Sequence, residues 1–366
     1  MKQLAVFGLT ISSSWGNGHA TTYRSLLAGL HRRGWQIVFY EREAHWYASN
    51  RDLTACEYAE ICLYPHWAAV RAEALRVAAA SELTLVGSYC PDGATVLDEL
   101  LAAKSSHGSV LSFYDIDTPI TLGYLRGAGC DYLRADQIPR LDLYLSFTAG
   151  PMLRHLEAHW GARRARALPC GCDPEAYAPG PREHRWDLGY IGTYAPDRQA
   201  KLEALLLRPA RRLPQLRFVV AGPMYPAQAW PENVSRVEHI GPSGHPGFYR
   251  SCRWCLNLTR QAMVEWGYSP SIRLFEAAAC GTPILSDPWS GSGAFFASPA
   301  EMVTVESSEA VERVLTTSTD AEWAGIAAAA RRRVVAEHSG HRRAEQLEAY
   351  WAECRAPARC HPERAA

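Results

Sequence analysis

The chain has 366 residues, 48% hydrophobic and 21% charged, with 38 Lys and Arg against 38 Asp and Glu. At about 150 residues per domain this is two domains of ordinary globular sequence, too apolar for intrinsic disorder. Zero net charge excludes a broad nucleic-acid-binding face, so an anionic ligand must be caught by a local group of cations, and no apolar run reaches the ~18 residues that span a bilayer.

Short apolar runs alternate with amphipathic stretches, the pattern of parallel sheets with crossover helices. Strands are expected at 4–11, 36–40, 83–87, 110–114 and 143–147, with helices at 21–33, 67–80, 95–103 and 151–160. The first apolar run, after Lys2, is too short for a secretory leader and no small-residue cleavage site follows, so it reads as a buried strand. The stretch 169–185 is rich in Pro and Gly and reads as a linker. The rhythm then restarts, with strands at 187–191, 217–221, 254–258 and 283–286 and helices at 198–211 and 271–280. The expected organisation is therefore an α/β chain of two Rossmann-like domains, 1–168 and 186–320, whose strand ends face a shared cleft, followed by a helical tail, 321–366, packing back on the first domain.

The eleven Cys are an odd number without a repeating framework, which points to reduced thiols and a cytoplasmic location. Cys252 and Cys255 lack a second pair at zinc spacing, Cys170 and Cys172 sit in the linker, and Arg331, Arg332 and Arg333 read as a solvated helix face.

Four segments carry chemistry. Ser14, Trp15, Gly16, Asn17, Gly18 and His19 join the first strand to the first helix, where small residues admit a ligand to the backbone and His19 is a candidate base. Asp115 and Asp117 follow a buried strand; the pair suits acid–base work, with Asp117 also placed to cap the next helix and Asp115 the stronger catalytic candidate. Gly192, Thr193 and Tyr194 follow the first strand of the second domain, with Arg198 and Lys201 just beyond them, so that a phosphate would meet the backbone N–H groups of the turn and then the Arg198 guanidinium, or else Arg198 lies on a solvated helix face. Finally Tyr268, Ser269, Pro270, Ser271, Arg273 and Glu276 lead into a helix capped by Ser269 or Ser271, whose N-terminus suits an anion and whose Glu276 suits a ribose diol, or else Arg273 and Glu276 form a surface ion pair. A competing reading takes Gly16, Gly18 and Glu41 as a dinucleotide fingerprint of an oxidoreductase, although Thr21 occupies the third glycine position.

Together these segments, with the Leu274 to Ile284 core, resemble the spore maturation protein CgeB-like glycosyltransferases and, more widely, group 1 glycosyltransferases of the GT-B fold. The resemblance implies transfer of a sugar from a nucleotide diphosphate sugar held by the second domain to an acceptor on the first, with no cofactor and no metal. It places Glu276 on the ribose and basic residues beside Gly192 on the diphosphate. The first Glu of the group 1 Glu-x7-Glu motif falls on Tyr268, and Glu265 is three residues early; this departure leaves stereochemistry open and keeps a catalytically silent sugar-binding protein as a further alternative.

Overall fold

Runs such as Leu4–Phe7 and Phe218–Ala221 are buried on both faces, which only a parallel sheet covered by helices provides. The computed structural model describes residues 2–16, 18–104 and 109–356. The first sheet contains β1 (Lys2–Gly8), β2 (Trp35–Arg42), β3 (Glu60–Tyr64), β4 (Leu83–Gly87), β5 (Val110–Asp115), β6 (Leu143–Ser146) and β7 (Ala165–Ala167), in the order β3-β2-β1-β4-β5-β6-β7. The second contains β8 (Trp186–Ile191), β9 (Phe218–Ala221), β10 (Val234–Val237), β11 (Cys252–Asn257), β12 (Ile284–Ser286) and β13 (Val303–Thr304), in the order β10-β9-β8-β11-β12-β13. Every pairing is parallel, and each sheet reverses direction beside its first strand, which opens a crevice at the carboxyl ends.

Several elements depart from the sequence expectation. The first strand ends at Gly8 rather than residue 11, because Ile11 and Ser12 turn away to bond the Glu41 carboxylate. The helix expected at 198–211 runs from Pro196 but widens into a π turn at Glu203–Leu207. Strands β3, β7, β10 and β13 carry no clear apolar run because they are short and lie on or next to sheet edges. Cys252 and Cys255 are buried in β11, and every described cysteine is a free thiol. Arg331 donates to the carbonyl of Ala279 and Arg333 pairs with Glu301 and Glu337, which leaves Arg332 as the solvated member of that triplet.

The tail crosses between the domains. A capping box at Thr319 and Glu322 starts the helix Asp320–Glu337, which packs on the helix Ile272–Ala279 of the second domain. The helix Gly340–Arg355 then lies along His19–Arg32 in the first domain. Glu348 accepts from Lys2 and from the Trp35 indole at 2.6 and 2.7 Å, and from Arg33 at 2.5 Å. Residues 357–366 of the expected tail lie outside the described residues.

The two helices meet backbone to backbone: a Cβ on Gly340 would stand 2.2 Å from the carbonyl oxygen of Ser25. Gly340→Ala should therefore lower stability by about 1–3 kcal/mol in urea unfolding. Gly325→Ala, in the neighbouring helix where an added Cβ meets nothing within 4 Å, should instead raise it by about 0.5–1 kcal/mol.

Candidate functional site

The carboxyl ends of both sheets border a cleft of about 400 Å³ that includes Gly18, His19, Asp117, Arg198, Ser271 and Ile272. It continues into a recess of about 230 Å³ bordered by Gly192, Thr193, His245, Tyr249, Arg273 and Glu276. Gly16, Gly18, Arg198 and Ile272 face both spaces, so the two form one interdomain site.

On the first-domain side, the loop after β1 is held from below by Glu41. This buried carboxylate accepts from the hydroxyl of Thr10 at 2.8 Å, the amides of Ile11 and Ser12 at 2.8 and 3.0 Å, and the Ser12 hydroxyl at 2.5 Å. Its lone pairs are therefore committed to the loop, and no ribose can use them as the dinucleotide reading requires. Ser14 is tied to Asp52, whose carboxylate also pairs with Arg24, and Trp15 points outward, 38% exposed. Asn17 lies outside the described residues.

His19 is the first residue of its helix and is nearly buried, its Nε2 lying 3.8 Å from Oδ2 of Asp117 and its Nδ1 buried with no partner among the described residues. Tyr89, which follows β4 in a left-handed conformation (φ 61°), donates to the same Asp117 oxygen at 3.1 Å and sets its ring edge-on to His19. Sequence spacing suggested that Asp115 and Asp117 share the cleft, with Asp115 the catalytic one. The fold separates them: Asp115 is fully buried behind the sheet end, accepting from Tyr144 at 2.6 Å and Thr121 at 2.8 Å. Asp117 alone faces the cleft, and its side chain makes no helix cap.

On the second-domain side, Arg273 and Glu276 are both buried rather than a surface pair. The Arg273 guanidinium donates to the carbonyl of Ile191, to Asn257 at 2.9 Å and to Ser271 at 3.3 Å, and stacks over the Tyr190 ring at 4.7 Å. It lies directly beneath the Gly192 turn, where an added Cβ would stand 2.8 Å from its Nη2. Among the described residues no carboxylate forms an ion pair with it. Arg198 donates one nitrogen to the carbonyl of Thr193 at 2.6 Å while its Nε is buried without a described partner. Glu276, one turn into the helix Ile272–Ala279, accepts from the Tyr249 hydroxyl at 2.7 Å and stands 3.6 Å from His245.

Other residues of these segments are placed elsewhere. Lys201 is consumed by Asp287 at 2.7 Å and the carbonyl of Thr259 at 2.8 Å, and Tyr194 packs edge-on to Tyr225 outside the cleft. The Tyr268 ring is clamped between Gly150 and Gly291, where an added Cβ would stand 2.6 and 2.5 Å from it, so it joins the domains instead of lining the site. Ser269 lines the cleft with its neighbour Pro270, yet its hydroxyl is spent on Thr148 at 2.9 Å and the carbonyl of Gly267 at 2.8 Å. Ser271 is the N-cap residue but its side chain caps nothing. Glu265 is exposed on a preceding helix and bonds Gln261.

Sequence reasoning missed Tyr89, His245 and Tyr249. Tyr89 sits between Gly87 and Pro91 at a strand end, and His245 in a run of Gly and Pro, so breaker-rich strand exits were the available signal. Among the described residues no group of three or more His, Cys, Asp or Glu is arranged to hold a metal ion, and no helix is long and apolar enough to cross a membrane.

Comparison with known proteins places this geometry. The family model described as glycosyl transferase-like matches residues 198–349, a segment that contains Arg198, Arg273 and Glu276. No curated protein sequence matches the chain significantly. Among solved structures, an alpha-glucosyltransferase in complex with UDP superposes with a TM-score of 0.71 at 11% identity, covering 96% of this chain and 100% of that one. Sucrose-phosphate synthase from Thermosynechococcus elongatus gives 0.69 at 13% identity, covering 96% and 99%. Anabaena HepE in complex with UDP-glucose gives 0.67 at 13% identity, covering 96% and 100%. The chain has the GT-B fold: two Rossmann-like domains facing across a cleft.

Burial raises the Asp115 pKa to about 6, against the hydrogen bonds from Tyr144 and Thr121 that favour its carboxylate. Because the folded-state value lies above the unfolded one, this group is most favourable below about pH 4 and its contribution is lost as pH rises toward about 6. Asp115→Asn, which cannot ionise, should gain about 1–3 kcal/mol relative to wild type between about pH 4 and pH 7 in urea unfolding.

Proposed function

We propose that this chain is a glycosyltransferase that moves a sugar from a nucleotide diphosphate sugar to an acceptor hydroxyl bound against the first domain. The observation that carries the reading is the buried Arg273 guanidinium beneath the Gly192 turn, with no carboxylate partner among the described residues. A desolvated cation without a counter-charge is costly, and a diphosphate resting on Gly192 and Thr193 supplies that charge. Arg198 and the N-terminus of the helix Ile272–Ala279 border the same space, and Glu276 lies one turn inward, where a ribose diol attached to that diphosphate donates to it. The match of residues 198–349 to a glycosyl transferase-like family model supports this, as do similar folds crystallised with UDP and UDP-glucose.

In this reading the acceptor hydroxyl meets His19. Asp117, itself held by Tyr89, stands 3.8 Å from the His19 Nε2 and favours the imidazolium that forms as the ring accepts the acceptor's proton. As the oxygen attacks the anomeric carbon, the bond to the diphosphate breaks and the leaving group's charge falls on Arg198, Arg273 and the helix N-terminus. These cations do what a metal would otherwise do, so we propose a metal-independent, cofactor-free reaction, in a cytoplasmic enzyme of glycan biosynthesis. The motif segments around His19, Asp117, Gly192 and Glu276 favour the CgeB-like branch of the group. The saturated Glu41 carboxylate speaks against the dinucleotide alternative.

Three measurements test this. Glu276→Ala should weaken UDP binding at least about tenfold in calorimetric titration, the worth of a hydrogen bond to a charged group. Asp117→Asn should lower kcat by about tenfold to a hundredfold with nucleotide affinity unchanged; equal losses in both would remove it from the chemistry. Sugar transfer, followed by nucleoside diphosphate release from a panel of nucleotide sugars, should survive excess EDTA. Absence of any product from the whole panel would leave the catalytically silent alternative.

A further inference from the structure

The recess that holds Glu276 contains a histidine to which the sugar-transfer chemistry assigns no task. His245 opens the helix His245–Ser251. Its Nε2 lies 3.1 Å from the carbonyl oxygen of Ile240, and its Nδ1 lies 3.6 Å from Oε2 of Glu276 and 3.4 Å from the hydroxyl of Tyr177. A carbonyl oxygen only accepts, so Nε2 carries a proton whatever the charge on the ring. That leaves Nδ1 two states: a lone pair facing a carboxylate, or the N–H of a cation paired with it. Tyr249 donates to the same Glu276 oxygen from one turn further along the helix. His239 and Ile240 border the recess beside Gly222 and Pro223.

We propose that His245 is a positioning residue that couples two parts of a bound nucleotide, tying the Ile240 loop on which the base lies to the Glu276 carboxylate that receives the ribose diol. The inference rests on the donor-site reading above. It has a consequence for proton uptake. The titratable and charged groups facing His245 are Glu276 and Arg273 on the helix Ile272–Ala279, Tyr249 on its own helix, and Tyr177 from the segment between the domains. Burial works against the imidazolium, but the hydrogen bond and charge of Glu276 outweigh it, with Arg273 opposing, and the pKa stands above its ordinary value. An incoming diphosphate favours the cation further. Nucleotide binding therefore takes up a proton, and affinity is greatest at low pH and falls as pH rises through the His245 pKa.

The test is calorimetric titration of wild type, His245→Gln and His245→Ala with UDP, GDP and ADP in turn, from about pH 6 to about pH 8.5, where the imidazole changes charge. The Gln amide still reaches the Ile240 carbonyl but carries no charge. Wild-type affinity should fall about fivefold more across this range than that of His245→Gln, since the phosphate's own titration is common to both. His245→Ala, which also frees the Ile240 loop, should bind more weakly than His245→Gln at every pH. Thermal unfolding of each variant at each pH separates these effects from loss of the fold. A pH slope in His245→Gln equal to that of wild type, or His245→Ala binding as tightly as wild type, overturns the inference while the donor site stands. Wild type that binds none of the three nucleotides overturns the donor reading itself, and this inference with it.

Discussion

The constraint on which the site depends is the burial of the Arg273 guanidinium. Its donors reach the end of β8 through Ile191, the end of β11 through Asn257 and the start of its own helix through Ser271, while Tyr190 covers one face. One side chain thus sets the relative positions of the Gly192 turn, the sheet and the helix that carries Glu276. Removing this charge from water is unfavourable, and the neutral partners around it take its Nε and Nη1 donors without cancelling its charge. The remaining positive potential opens toward the recess, where it offers an anion a local cation although the whole chain is neutral.

The cleft exists because the two sheets are held apart and together at the same time. On one side Tyr268 is pressed between Gly150 and Gly291, both at positive φ, and Ser269 bonds Thr148 across the boundary. On the other the last two helices carry the chain from the second domain to the first, the final one meeting its partner at Gly340. These contacts use small residues so that backbone or ring can approach closely, and they leave the strand ends between them open to solvent. Tyr268, where the resemblance to group 1 glycosyltransferases would put an acid, is part of this clamp.

Two carboxylates show the limit of reading function from spacing. Asp115 and Asp117 are two residues apart at the end of a strand, and alternation alone would put both on one face. The strand ends at Asp115, however, and the turn sends Asp117 outward while Tyr144 and Thr121 draw Asp115 in. Glu41 presents the same difficulty: an acid after the second strand matches a ribose ligand in sequence, and in the structure it receives four donors from the loop it supports. Lys201 stands near the Gly192 turn in sequence, and in the structure Asp287, 86 residues away, holds it. In each case the deciding partner is remote in the chain or perpendicular to the strand, where local pattern carries no information.

Hydrophobic periodicity and breaker residues determined by themselves that the chain is an alternating α/β protein with two parallel sheets, because apolar runs of strand length, covered on both faces, have no other soluble arrangement. Residue type and place after a strand also determined that His19 and Gly192 belong to strand exits, where such sheets bind ligands. The tertiary structure alone decided which of the charged groups are free to act. Among the described residues Arg273 has no carboxylate partner, Asp117 rather than Asp115 stands near His19, and His245 stands against Glu276, because the charge state and availability of a side chain depend on what is packed around it.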